Sequence, residues 1–183
     1  MGGYYGGMLA RKGHEVHFLL NSDYDFVAAN GLQVDSCNGS FRLPHVNAWR
    51  SAADMPQCDV VLVCLKTTLN RALATMLPPL LHEHTLVVLI QNGIGPEYDL
   101  QAIFPHLNIA AGLAFICSAK IGPGHTDHQG YGNINIAPYG NADKAIVRQV
   151  VDDLKASGVG AALTGYDEAR WKKAVWNMPF NGM

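Results

Sequence analysis

In ARWKKAVWNMPFN, Lys173, Asn177 and Asn181 recur at i, i+4 and i+8, so a helix would carry them as one polar stripe among Ala174, Val175, Trp176, Met178 and Phe180. A lysine held among large apolar side chains loses hydration, which lowers its pKa and suits it to donate a proton near neutral pH. Lys172 beside it reads as a surface residue, and the structural alternative for the stripe is a polar contact between domains. Three further polar positions close apolar runs: Lys66 in VLVCLKTT, Gln91-Asn92-Gly93 in LIQNGIGPE, and Ser118 to Lys120 in FICSAK. Ligands of open α/β sheets bind at such strand ends. The structural alternatives are a solvated strand end for Lys66 and, for Asn92, a turn residue tolerating left-handed geometry ahead of Gly93.

The elements around these positions follow from periodicity. MGGYYGGMLARK reads as a helix closed by Gly13, and HEVHFLL as the strand after it. SDYDFVAAN is a helix with Ser22 at its N-cap and Gly31 as its stop, followed by LQVDS and the strand-like GSFRLPHVNAW. CDVVLVCL, ending at Lys66, and TLVVLI are unbroken apolar runs, the pattern of parallel strands buried on both faces. Between them TTLNRALATMLPPLL reads as a helix capped at Thr67 or Thr68. A short helix at PEYDLQAIF leads to the strand NIAAGLAFICSA. IGPGHTDHQGYGNINIAPYG suggests an antiparallel hairpin at the sheet edge, DKAIVRQVVDDLKASG an amphipathic helix, AALTG a last strand, and DEARWKKAVWNMPFN another helix. Alternating strands and helices predict an α/β, Rossmann-like, doubly wound parallel sheet.

With 183 residues, 49% of them hydrophobic, the chain can bury one full core and begin a second. A net charge of −2 without a basic block argues against nucleic acid or an anionic membrane as partner. No apolar run reaches the ~20 residues of a membrane span and no secretory signal opens the chain, so a cytoplasmic location is expected. Its partners are then small molecules or other copies of itself, with a homodimer left open. The four cysteines, Cys37, Cys58, Cys64 and Cys117, show no C-x-x-C spacing and are expected to be reduced, Cys64 and Cys117 as small hydrophobes in strands. His125, Asp127 and His128, and likewise His82 and His84, fall in predicted loops without a third ligand or helical i, i+4 spacing. They are expected to be surface histidines, with no metal site.

The first turn of a dinucleotide-binding fold carries G-x-G-x-x-G, and Gly2 falls where the third glycine, the one allowing close helix–strand packing, would stand. The other reading is that Gly2 and Gly3 are a flexible terminus. In the 3-2-1-4-5-6 order the first strand is central, so the sequence leads us to expect a strand and phosphate-binding turn missing ahead of Gly2, with its two neighbours left unpaired. Arg11 and Lys12 suit the helix C-terminus and are not assigned to phosphate.

The segments GGYYGGMLARKGHEVHFL, VLVCLKTT, LIQNGIG, AFICSAKIGPG and RWKKAVWNMPFN, in this order and spacing, closely resemble the ketopantoate reductase (2-dehydropantoate 2-reductase) family along essentially the whole chain. The resemblance implies an NADPH-binding Rossmann domain over residues 1–165 and, over 166–183, the first helix of an all-helical substrate domain. It implies NADP-dependent reduction of ketopantoate to pantoate, a step toward pantothenate and coenzyme A. Lys173 would be the catalytic lysine that donates a proton to the ketone oxygen; Asn92 would sit by nicotinamide and substrate, Lys66 and Gly2 by the cofactor, and Asn177 and Asn181 would face the substrate.

Two departures from that family stand out. Asn21, in HFLLNSDY, occupies the place where the family often has an arginine for the 2′-phosphate of NADPH. No Asp or Glu stands at that strand end to repel phosphate, so NADP remains the expected cofactor, with Asn21 and Ser22 as hydrogen-bonding stand-ins. The family's later serine and glutamate belong to a helical domain beyond these residues. The alternatives are a two-domain dehydrogenase for another 2-oxo acid, or a non-catalytic remnant. Residues 1–183 alone are expected neither to bind NADPH tightly nor to turn over, and Trp171, Trp176 and Phe180 to form an apolar patch favouring self-association.

Overall fold

The computed structural model describes the backbone of residues 1–181 and the side chains of residues 1–178. Asn181 and Phe180, as side chains, lie outside the described residues. Helix α1 runs Gly2–Arg11, and its glycines are packing positions: a Cβ on Gly3 would sit 2.6 Å from Thr126 Oγ1, and one on Gly6 would sit 2.7 Å from Phe18 Cε1. A helix with side chains there could not lie this close to the strands. Strand β1 (His17–Leu19) follows, then α2 (Tyr24–Asn30), whose N-cap is Asp23 and not Ser22. Gly31 ends α2 at φ 74°, and a Cβ there would fall 1.9 Å from the Leu43 carbonyl oxygen.

Strands β2 (Leu32–Ser36), β3 (Phe41–Leu43) and β4 (Asn47–Trp49) come next. The run expected as one strand is split at Pro44 and His45, and its halves join different sheets: β3 pairs antiparallel with β2, and β4 pairs parallel with β1. Strand β5 (Val60–Val63) stops three residues short of Lys66. The helix expected after it is fragmented into a 3-10 turn over Thr67–Ala72, a single α turn α3 (Leu73–Met76), and a second 3-10 turn at Pro78–Leu80. Two adjacent prolines remove the donors a continuous helix would need there.

Strand β6 (Leu86–Leu89) is fully buried, as an apolar run with helices on both faces should be. Helix α4 (Pro96–Ile103) leads to two long strands, β7 (Asn108–Gly122) and β8 (His125–Tyr139). Helix α5 (Lys144–Ala156) is capped by the Asp143 side chain, which accepts from the Ala145 N–H. Its buried Val147, Val150, Val151 and Leu154 each contribute about 1.5 to 3 kcal/mol by leaving water. Strand β9 (Ala161–Leu163) and helix α6 (Tyr166–Asn181) complete the order.

The main sheet runs β3-β2-β8-β7-β6-β5 with β9 also on β8, while β1 and β4 form a separate pair. The pairs β5/β6, β6/β7, β2/β8 and β8/β9 are parallel. Hence the β7–β8 hairpin is not at a sheet edge. β8 lies inside the sheet, antiparallel to β7 on one side and parallel to β2 and β9 on the other. Among the described residues β5 pairs only with β6 and β1 only with β4, so no ladder joins β1 to β5.

His125 and His128 belong to β8 and not to a loop. His128 is buried, with Nδ1 2.8 Å from Ser36 Oγ and Nε2 3.1 Å from the Gly130 carbonyl oxygen; His125 Nε2 lies 2.7 Å from Asp35 Oδ2. No metal-binding cluster of three or more His, Cys, Asp or Glu occurs among the described residues. The cysteines are free, but Cys117 is exposed, its thiol 3.5 Å from Gln129 Oε1. Cys64 packs as a partly buried hydrophobe against the main core, and desolvation pushes its thiol up to about 11. No helix among the described residues is long and apolar enough to cross a membrane.

Candidate functional site

The carboxyl ends of β5 and β6 hold two of the candidate residues next to each other. Lys66 follows β5 and is exposed; Asn92 follows β6 and is exposed. Between them Gln91 is buried, and its side-chain amide exchanges hydrogen bonds with Asn70: Gln91 Nε2 donates to Asn70 Oδ1 at 2.7 Å, and Asn70 Nδ2 donates to Gln91 Oε1 at 3.1 Å. Gln91 Nε2 also donates to the Leu65 carbonyl at 2.8 Å. These bonds tie the end of β6 to the segment just after β5, so the backbones carrying Lys66 and Asn92 are held side by side.

Helix α1 reaches the same end of the sheet through its first residue. Gly2 lies against Cys64, just past β5, where a Cβ on Gly2 would come 3.4 Å from Cys64 Cβ. The first turn of α1 carries no acidic residue, so no carboxylate of that turn competes with an anion for its positive dipole end.

Lys173 arrives from α6. Its ammonium donates a 2.5 Å hydrogen bond to the Ala114 carbonyl of β7 and stands 5.5 Å from the Phe115 ring centre. The last β6–β7 pair is Leu89 with Ala111, and Asn92 and Ala114 each lie three residues beyond it, at the same end of the sheet. Burial lowers the Lys173 pKa from the ordinary lysine value, and the Arg170 charge lowers it further. Asn177, one turn on, is half-buried. Trp176 packs edge-on to Phe115 with ring centres 5.6 Å apart, yet it and Trp171 are both exposed. Lys172 is a surface residue, paired with Glu168 at 2.5 Å.

Asn21 stands apart from this group, exposed in the turn after β1. The carboxylates near it are engaged: Asp23 accepts from Lys120 Nζ at 2.5 Å and from the Gly124 N–H at 3.2 Å, and Asp25 pairs with Arg50 at 2.5 Å. A cavity of about 260 Å³ bounded by Ala10, His14, Phe18, Leu43 and His45 lies elsewhere, and none of these candidates lines it.

Sequence reasoning passed over the buried charges beside Lys173. Arg170 and Glu97 form an ion pair, and Tyr166 donates its hydroxyl to Glu97 at 2.8 Å. Desolvation and then the Glu97 charge push the Tyr166 hydroxyl well above its usual pKa. The available signal was spacing: Arg170 precedes Lys173 by three residues and shares its helix face.

A largely parallel sheet flanked by helices, with candidate residues gathered beyond the carboxyl ends of adjacent strands, defines a Rossmann-like α/β protein. The chain belongs to the ketopantoate reductase PanE/ApbA family, whose model matches residues 1–141. It is 43% identical over 189 residues to the 2-dehydropantoate 2-reductase of Nostoc sp., an alignment covering all of this chain and 59% of that protein. The crystal structure of 2-dehydropantoate 2-reductase from Geobacter metallireducens matches with a TM-score of 0.93 at 40% identity, over 98% of this chain and 60% of that one. A D-mandelate dehydrogenase in complex with NADH matches with a TM-score of 0.82 at 26% identity, over all of this chain and 58% of that one. The chain thus spans about 60% of the length of the relatives it matches.

Proposed function

We propose that these residues, in a polypeptide of the relatives' full length, carry out NADPH-dependent reduction of 2-dehydropantoate to pantoate, the step toward pantothenate and coenzyme A. Residues 1–165 act as the NADP-binding domain and 166–183 as the first helix of a helical substrate domain. The observation that carries the reading is the half-buried Lys173, held by the Ala114 carbonyl at the sheet end that Asn92 and Lys66 share.

The residues present fit a dinucleotide. Gly2 leaves the N-terminus of α1 open to a pyrophosphate, Lys66 adds a positive charge beside it, and Asn21 with Ser22 offers neutral donors to a 2′-phosphate. With Asp23 and Asp25 already paired, no free carboxylate repels that phosphate. A bound nicotinamide supplies the hydride. Lys173 has three N–H donors, and Ala114 occupies one, which leaves donors for a ketone oxygen. As negative charge develops on that oxygen, Lys173 stabilises it and then gives up a proton, and its lowered pKa makes that transfer easier. Asn92 orients the ketone from the end of the neighbouring strand β6, and Asn177 and Asn181 bind the rest of the substrate.

Reduction of a different 2-oxo acid is the second reading, and the similarity to a D-mandelate dehydrogenase favours it. The test is a substrate panel on the full-length protein with NADPH. We expect kcat/KM for 2-dehydropantoate to exceed that for benzoylformate and pyruvate by at least about tenfold, the scale on which one pocket discriminates related side chains. A preference for benzoylformate would replace the substrate, and NADPH oxidation with none of these acids would remove the reductase reading.

A further inference from the structure

Helix α6 meets the turn after β6 through one buried side chain. Arg170 Nη1 donates to the Gln91 carbonyl at 2.7 Å and reaches the Gly93 carbonyl at 3.4 Å, the two residues that flank Asn92. The other amino group of Arg170 pairs with Glu97 of α4, whose second oxygen accepts from Tyr166 of α6. Arg170 is 3% exposed and Glu97 is 0% exposed. One guanidinium therefore binds α6, the 91–93 turn and the first turn of α4 into a single unit.

Stability alone does not require this arrangement. Two charges taken out of water carry a desolvation penalty of several kcal/mol each, and a well-packed apolar pair of similar volume is often as stable or more so. What an apolar pair cannot do is hold two carbonyl oxygens and a carboxylate in fixed directions. A planar fork with donors on separate nitrogens does so, and a lysine, a point charge, does not. On the other side of Arg170, one helical turn along, is Lys173.

We propose that Arg170 and Glu97 are positioning residues that clamp the 91–93 turn to α6 and so hold Asn92 and Lys173 in one fixed geometry. The purpose assigned to the clamp rests on the reading of those two residues as the ketone site, but the clamp itself does not need turnover to be tested.

The experiment is 15N relaxation on the full-length protein, comparing wild type with Arg170→Met/Glu97→Leu, which replaces the ion pair by apolar volume, and with Arg170→Lys, which keeps the charge opposite Glu97 but loses the fork. We expect the order parameters of the Asn92 and Gly93 amides to drop from about 0.85 to below about 0.6 in both variants, while Val87 and Val88 of β6 stay rigid. If the double variant fails to fold, Arg170→Lys gives the same readout. A turn as rigid as wild type in the folded variants overturns the clamp and leaves the role of Lys173 untouched. Full ketone reduction by a Lys173→Met enzyme would instead overturn the chemistry and leave the clamp standing.

Discussion

The ammonium of Lys173 is held at 2.5 Å by the main-chain carbonyl of Ala114, which places the one charged group of the stripe on α6 against β7 just past its pairing with β6. Its proton is held less tightly than that of an exposed lysine, because burial first and the Arg170 charge second favour the neutral amine. A donor must be protonated to act, and a lowered pKa means the proton is lost at lower pH. The alkaline limb of the kcat/KM profile for ketone reduction should therefore fall below the ordinary lysine value of about 10.4. A pH series of initial rates checks this, and activity holding through pH 10.4 would contradict it.

Asn21 is exposed after β1, with the neighbouring carboxylates of Asp23 and Asp25 already paired. Asn21→Arg should strengthen NADPH binding by about tenfold, since a charge-assisted contact to phosphate adds roughly 1.5 kcal/mol over a neutral one. Fluorescence titration of the full-length protein with NADPH and with NADH measures it. An equal gain for NADH would mean that Arg at this position does not meet the 2′-phosphate.

Asp23 joins the loop after β1 to the β7–β8 hairpin. Burial alone would raise its pKa, but hydrogen bonds from Lys120, the Gly124 N–H and Ser22 outweigh it and leave the carboxyl below its ordinary value. A depressed folded pKa contributes stability above the unfolded value of about 3.9, and that stability is lost as pH falls through the folded value. Asp23→Asn should lower the urea midpoint at pH 7, and the gap between variant and wild type should close toward pH 3. A gap that persists at pH 3 would show that charge is not the cause.

Gly31 closes α2 with positive φ, against the Leu43 carbonyl. Gly31→Ala combines a left-handed backbone with a main-chain clash and should cost at least about 2 kcal/mol of folding stability. Chemical denaturation reads this directly, and a loss under 0.5 kcal/mol, the scale of an ordinary surface change, would contradict it.

Where burial is continuous or strictly periodic, the sequence was legible. LVVL of β6 and the apolar face of α5 sit as their patterns indicate, because hydrophobic spacing alone places them. β8 was misplaced since HTDHQG lacks apolar alternation; its interior position depends on His125 and His128 finding Asp35 and Ser36 of β2, some ninety residues away. The Arg170–Glu97 pair was hidden for the same reason: its partners are 73 residues apart, and no local pattern reports a contact formed only after α6 packs on the sheet. Gly2, Lys66, Asn92 and Lys173 could be named because strand ends and helical spacing are local, whereas the Gln91–Asn70 amide pair that holds two of them together is not.

The most direct test of the account is Lys173→Met in the full-length protein, with NADPH affinity and ketopantoate turnover measured side by side. Because the lysine contact strengthens as charge develops on the ketone oxygen, kcat/KM should fall by about 10³-fold or more while the NADPH Kd changes less than about threefold. Turnover within tenfold of wild type would contradict Lys173 as the proton donor, and with it the proposed chemistry.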